Sequence, residues 1–125
     1  MTETSPVISV NRLEDNVPES VGIALENVEV RLGPEGELLV RGPSVMQGYW
    51  NNPDATAKAL DSDGWLHTGD LAELRSRRIF IRGRLKDVLV LSNGEKLPPQ
   101  DVELAIMGDP AFEQAETQIR ELIER

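Results

Sequence analysis

Residues 64–70 read Gly-Trp-Leu-His-Thr-Gly-Asp, and residues 83–87 read Gly-Arg-Leu-Lys-Asp. In these two stretches Asp70 and Arg84 each follow a glycine. A carboxylate accepts hydrogen bonds from hydroxyl groups and a guanidinium donates them to oxygens, so the two side chains could together bind a small polar ligand such as a sugar. The more ordinary interpretation is that Asp70 forms a side-chain-to-backbone turn where a strand begins.

The alternation of apolar and polar residues predicts a mostly β chain. Strands are predicted at residues 7–10, 28–32, 38–40, 71–74, 79–81 and 88–91, with turns at residues 33–36, near Ser76 and at Asn93-Gly94. In and around the strand of residues 79–81, Ile79 and Ile81 are predicted to face the core. The arginines Arg78, Arg82 and Arg84 are predicted to face outwards.

Short helices are predicted between and after these strands. Asn52 and Pro53 fit an N-cap and a first helical position for a helix that ends near Leu60. Two more helices are predicted over about residues 100–107 and 113–125. The last is amphipathic, and its exposed apolar residues could mediate self-association with a second copy of the chain.

Composition excludes several classes of protein. The 125 residues suit one domain or one and a half, and the absence of cysteine excludes disulfides and thiolate metal sites. The formal charge of −9 argues against nucleic-acid binding. No apolar run approaches the roughly 20 residues of a transmembrane segment. Six of the 13 basic residues lie between Arg75 and Lys86, which favours either a solvated strand face or a site for a small phosphorylated ligand.

In their order and spacing, residues 64–70 and 83–87 resemble the adenylate-forming superfamily, which includes acyl-CoA synthetases, adenylation domains and luciferases. Residues 2–4, Thr-Glu-Thr, are similar to the second half of the family's Tyr-Gly-x-Thr-Glu motif. Residues 91–96, Leu-Ser-Asn-Gly-Glu-Lys, are most similar to bacterial long-chain fatty-acyl-CoA synthetases. The resemblance extends over residues 1–114.

The resemblance implies ligand-binding roles for five residues. Asp70 would bind the ribose hydroxyls of ATP and of the acyl-adenylate, and Arg84 would support the same sugar. Thr2 would contact the α-phosphate, and Glu3 would help to bind Mg²⁺, for which a carboxylate is a suitable ligand. Gly94 would let its hairpin approach the site beside the pantetheine arm of coenzyme A.

Two other features are predicted to play no direct chemical role. Residues 36–50 resemble the next block of the family and are assigned a structural role, with Tyr49 and Trp50 packing against the barrel. His67, the only histidine, has no partner apparent in the sequence. It is therefore predicted to be a loop residue.

The predicted fold is α+β and mostly β, in two parts. Residues 1–85 would form the distorted antiparallel β-barrel subdomain of the large AMP-binding domain. Residues 86–125 would form the hinge and the truncated start of the small C-terminal domain, with a β-hairpin and helices. Lys86 would serve catalysis as the pivot of domain rotation, whereas without the resemblance it would be an ordinary surface lysine.

Two functional classes remain open. In the first, the chain is part of an ATP-dependent ligase that activates a long-chain fatty acid as acyl-AMP and transfers it to coenzyme A. The family's phosphate loop and C-terminal lysine are not found in these residues, so a piece of a longer protein, inactive by itself, is expected. In the second, the chain is a free-standing, non-enzymatic module that binds AMP or a partner protein. A cytoplasmic location is expected, with a membrane-peripheral one open for the parent enzyme.

Overall fold

A computed structural model of the chain describes residues 1–90 and 96–97. Backbone contacts divide the chain into two units, Met1–Lys86 and Asp87–Arg125. The first unit is built on a six-stranded antiparallel sheet that curls into a half-barrel. Its strands are β1 (Ser9–Val10), β2 (Gly22–Ala24), β3 (Glu29–Leu32), β4 (Glu37–Arg41), β5 (Leu66–Arg75) and β6 (Arg78–Arg84), in the spatial order β1-β2-β6-β5-β4-β3. This arrangement confirms the predicted mostly β fold.

Local turn chemistry explains why consecutive strands pair. A 3₁₀ turn at Pro34–Gly36 joins β3 to β4, and Glu35 and Gly36 both have positive φ angles there. Ser76 and Arg77 join β5 to β6, again with positive φ at both central residues, as in the type I′ turns that match the twist of a hairpin. Both turns lie where the sequence predicts them.

The remaining strands show what the alternation pattern detects and what it misses. β1 is shorter than the predicted strand of residues 7–10, and β5 and β6 are longer than predicted. The three-residue β2 was not predicted, because its sequence is too short to show an alternation. It is recognisable only from its partners, since it lies between β1 and β6 in the sheet.

The core of the first unit is formed mainly by side chains of β4, β5 and β6. Its buried cluster is aliphatic: Val28, Leu38, Val40, Ala72 and Ile79. Val40 and Ile79 are completely inaccessible to solvent. The prediction that Arg78 faces solvent is wrong, because its guanidinium bonds to Asn11 and Asp15 and only 11% of its side chain is exposed.

Trp65 anchors the start of β5. Its ring is almost fully buried between two guanidinium groups, with Arg31 4.2 Å and Arg41 4.5 Å from the ring centroid. Such cation–π contacts are stabilising when the ring is desolvated. Arg41 also forms a two-point ion pair with Glu29 on β3. These contacts fix Trp65, the residue immediately before β5.

The helix of the described region, α1 (Pro53–Ala59), follows the sequence prediction closely. Its N-cap is Asn52, whose side-chain oxygen accepts a hydrogen bond from the Ala55 N–H at 3.1 Å. Pro53 occupies the first helical position, where its missing N–H costs nothing. The prediction of this helix and of its cap is confirmed.

In the second unit, β7 (Leu89–Val90) and β8 (Lys96–Leu97) pair antiparallel. The predicted turn at Asn93-Gly94 and the predicted helices at residues 100–107 and 113–125 lie outside the described residues. Within residues 1–90 and 96–97, no helix has the length and apolar character that crossing a membrane requires.

A substitution at Gly22 tests how closely β2 packs against β1. A Cβ at this position would overlap the carbonyl group of Val10, and φ is +94°. We expect Gly22→Ala to lower the free energy of unfolding by about 2 kcal/mol or more, through overlap and backbone strain together. Gly64→Ala is the matched control, because φ there is +80° and its Cβ would meet only an arginine side-chain carbon at 4.0 Å. Urea denaturation showing equal losses in both variants would contradict this account of the β1–β2 packing.

Candidate functional site

A cavity of about 520 Å³ lies at the site of the sequence motif. Residues from β5, from the end of β6, from the N-terminal segment and from the loop before α1 line it. They are Met1, Thr2, Glu3, Tyr49, Leu66, His67, Thr68, Asp70 and Arg84. The four predicted ligand-binding residues of the first unit therefore share one cavity.

An irregularity in the sheet shapes the floor of this cavity. Glu37 pairs with Leu71 and Leu39 pairs with His67, so one residue of β4 faces three residues of β5 over this span. The extra residues of β5 form a bulge at Thr68–Gly69–Asp70. Gly69 adopts a φ of +72°, a left-handed conformation that is accessible to glycine at little cost. A bulge of this kind bends the strand and redirects its side chains.

The β5–β6 hairpin brings the predicted pair together. Asp70 lies directly opposite Arg84 in the β5–β6 ladder. The Nη1 of Arg84 donates to Oδ1 of Asp70 at 2.9 Å, and the two side chains remain 58% and 26% exposed, respectively. Because both groups are accessible and line the same cavity, a ligand with hydroxyl groups can reach the carboxylate and the guanidinium at once.

His67 is not the loop residue that the sequence predicts. It lies within β5, where its Nδ1 is 2.8 Å from Oε2 of Glu37, a buried carboxylate on β4. The other oxygen of Glu37 accepts from the N–H of Gly69 at 2.9 Å. This partnership spans 30 residues of sequence, so no local pattern could have revealed it.

The N-terminal segment forms a wall of the cavity. The N–H of Met46 donates to the Glu3 carbonyl at 2.8 Å, and Ser5 Oγ donates to the Ser44 carbonyl at 3.0 Å. These bonds hold the 3₁₀ turn of Thr2–Thr4 against the loop that precedes α1. Thr2 and Glu3 therefore reach the cavity although they lie about 67 residues from Asp70 in the sequence.

Tyr49 is a site residue that sequence reasoning missed. Instead of only packing against the barrel, it lines the cavity and its hydroxyl donates to Oε1 of Glu3 at 3.0 Å. Hydrogen bonds from its own backbone N–H and from the Tyr49 hydroxyl lower the pKa of the Glu3 carboxyl group. The Glu3 carboxylate in turn raises the pKa of the Tyr49 phenol. Trp50 does not pack as predicted either, since it is 91% exposed.

One predicted site residue lies outside the cavity lining, and another falls outside the described residues. Lys86 is exposed within a 3₁₀ turn, Leu85–Asp87, and is not among the residues that line the cavity. Gly94 lies outside the described residues. Across the described part of the chain, no group of three or more acidic or histidine side chains is arranged to hold a metal ion. Glu3 lines the cavity, and hydrogen bonds that lower its pKa favour the charged carboxylate, which could supply one oxygen ligand to a cation that other groups also coordinate.

Comparison with known proteins gives a consistent picture. Residues 1–50 match the family model described as AMP-binding enzyme. The chain is 40% identical to the probable acyl-activating enzyme 16 of Arabidopsis thaliana, over 91% of the chain and 19% of that protein. It is 41% identical to the putative acyl-CoA synthetase YngI of Bacillus subtilis, over 88% of the chain and 23% of that protein.

A solved structure resembles the chain over most of its length. ATP-bound MatB from Rhodopseudomonas palustris superposes with a TM-score of 0.79 and 33% identity, over 88% of this chain and 24% of MatB. The chain thus spans about a fifth to a quarter of the length of the proteins it resembles.

Proposed function

Because the chain belongs to the superfamily of AMP-binding enzymes, we propose that its cavity binds the ribose and phosphates of an adenine nucleotide. The observation that carries the proposal is the pairing of Asp70 with Arg84 at 2.9 Å in a cavity that Thr2 and Glu3 also line. Asp70 accepts hydrogen bonds from the ribose hydroxyls, and Arg84 donates to oxygens of the same sugar. The match to ATP-bound MatB supports this choice of ligand.

The wall of the cavity suits the phosphates. In this proposal the Thr2 hydroxyl would donate to the α-phosphate, and the Glu3 carboxylate would be one of the ligands of Mg²⁺. Magnesium, when bound, neutralises phosphate charge, and it commonly keeps several waters and uses only one or two protein carboxylates. Glu3 fits that requirement because its lowered pKa keeps it ionised and the Tyr49 hydroxyl fixes one of its oxygens.

The reaction we propose for the whole protein is an acyl-CoA ligase reaction in two steps. An oxygen of a carboxylate substrate attacks the α-phosphorus of ATP, and pyrophosphate leaves. The sulfur of coenzyme A then attacks the acyl carbon, and AMP leaves. We propose a long-chain fatty acid as the substrate because the sequence of residues 91–96 is similar to that of bacterial long-chain fatty-acyl-CoA synthetases. The relatives named as an acyl-activating enzyme and an acyl-CoA synthetase support the ligase class.

The proposed two-step reaction requires a small domain that rotates between the steps. We propose that residues 1–85 belong to the large domain and residues 86–125 to the small domain, with Lys86 as the pivot between the two steps. Its exposed position in a 3₁₀ turn at the end of β6 supports the pivot, because an element boundary can absorb backbone rotation. Gly94 is proposed to lie in the hairpin that meets coenzyme A. Cytoplasmic location stays a prediction.

The proposed site predicts weak, ribose-centred binding of AMP by the isolated chain. We expect a dissociation constant of about 1 mM, which corresponds to about −4 kcal/mol. Titration followed by ¹⁵N–¹H NMR should shift the amide signals of Thr2, Asp70 and Arg84. Asp70→Asn should weaken binding about tenfold and shrink these shifts at the same AMP concentration, because an amide oxygen is a weaker acceptor than a carboxylate.

Glu73→Gln is the control for this titration, since Glu73 is an acidic residue of the same strand that pairs with arginines away from the cavity lining. It should bind AMP as the wild type does. An absence of AMP-dependent shifts in the wild type, or equal shifts in Asp70→Asn, would refute the proposed site.

The length comparison predicts that the 125-residue chain does not ligate by itself. The chain corresponds to about a fifth to a quarter of the length of its relatives, so we expect it to provide only one part of the nucleotide site. With ATP, Mg²⁺, a long-chain fatty acid and coenzyme A, we expect neither pyrophosphate nor acyl-CoA above the rate without protein. Chromatographic detection of acyl-CoA, with a full-length acyl-CoA synthetase as positive control, measures this. Product formed by the purified chain would overturn the expectation.

A further inference from the structure

Glu37 is a buried acidic residue outside the set that contacts the cavity. It begins β4, and only 10% of its side chain is exposed. Its Oε1 accepts a hydrogen bond from Gly69 N–H at 2.9 Å, and its Oε2 lies 2.8 Å from Nδ1 of His67. One carboxylate therefore holds β5 at two points, on either side of Thr68.

The bulge needs such partners because its backbone groups leave the ladder between β4 and β5. The N–H of Gly69 is bonded by Glu37 instead. The N–H of Asp70 is bonded by Thr68 Oγ1 at 3.1 Å, while the same hydroxyl donates to the Leu38 carbonyl at 2.8 Å. Side-chain oxygens thus replace pairing with β4 at the N–H groups of Gly69 and Asp70, the two residues whose conformation sets the direction of the Asp70 carboxylate.

We propose that Glu37 is a positioning residue for Asp70. Its bond to the N–H of Gly69 fixes the left-handed conformation of that glycine, and with it the direction in which Asp70 faces Arg84 and the cavity. His67 orients the Glu37 carboxylate through the second oxygen. This inference deepens the proposed function and rests on it, since Asp70 is there the group that binds ribose.

The positioning role depends on the reach of the side chain and on an acceptor oxygen, not on charge. Glu37→Asp keeps the charge but is one methylene shorter, so it cannot span from β4 to both partners. Glu37→Gln keeps the reach and one acceptor oxygen, and its amide can donate to Nδ1 of a neutral His67. Positioning therefore ranks the glutamine variant above the aspartate variant, and a purely electrostatic role ranks them in the opposite order.

AMP binding and amide exchange of the 125-residue chain test this ranking. We expect Glu37→Asp to weaken AMP binding about tenfold and Glu37→Gln by less than about threefold, as losing one charge-assisted hydrogen bond predicts. In the ligand-free chain, hydrogen exchange measured by NMR should accelerate at Gly69 and Asp70 in the aspartate variant only. Glu73→Gln, which changes a carboxylate of β5 that pairs with Arg75 and Arg82 away from the cavity lining, should change neither quantity.

The inference is overturned if the two variants rank in the reverse order, if both bind AMP as the wild type does, or if Glu37→Asp leaves exchange at Gly69 and Asp70 unchanged. A wild-type chain that binds no AMP refutes the proposed function instead. In that case the exchange rates, measured without ligand, still decide whether Glu37 positions the bulge.

Discussion

The strand β5 must pair with β4 on one side and β6 on the other while holding two more residues than β4 over the span from His67 to Leu71. These residues cannot all pair with β4, so Thr68, Gly69 and Asp70 bulge out of the β4–β5 ladder, while Asp70 keeps Arg84 as its partner in the β5–β6 ladder. The bulge puts Gly69 in the left-handed conformation, and the Asp70 carboxylate bonds to Arg84 on the adjacent strand. The proposed contacts with ribose depend on this placement of β5 between two strands that impose different registers on it.

A rigid surrounding makes such a bulge usable as a binding site. Val40 and Ile79 fill the core on the two strands that flank β5, and Trp65 is clamped between two guanidinium groups just before the strand begins. Binding groups are most effective when packing and hydrogen bonds hold them before the ligand arrives. In this chain the sheet fixes Asp70 and Arg84, and the Met46 and Ser44 bonds fix the wall that carries Glu3.

Sequence reasoning succeeded where the determining interactions are local. The cap of α1 and the turn at Ser76 follow from neighbouring residues, and the convergence of Asp70 and Arg84 follows from their places at the open end of one hairpin. It failed where distant segments meet. Glu37 contacts His67, which is 30 residues away in the sequence, and Tyr49 donates a hydrogen bond to Glu3, 46 residues away. Arg78 donates to the backbone carbonyl of Asp15, 63 residues away.

The central claim is that the redirected Asp70 carboxylate recognises the ribose diol of a nucleotide. Titration calorimetry with AMP and with 2′,3′-dideoxyadenosine monophosphate tests it most directly, since the two ligands differ only in the hydroxyls. The account predicts that the wild-type chain binds AMP about tenfold more tightly than the dideoxy nucleotide, as expected for hydrogen bonds to a charged group, and that Asp70→Ala loses most of this preference because only Arg84 still reaches the sugar. Equal affinity of the wild-type chain for the two nucleotides would contradict it.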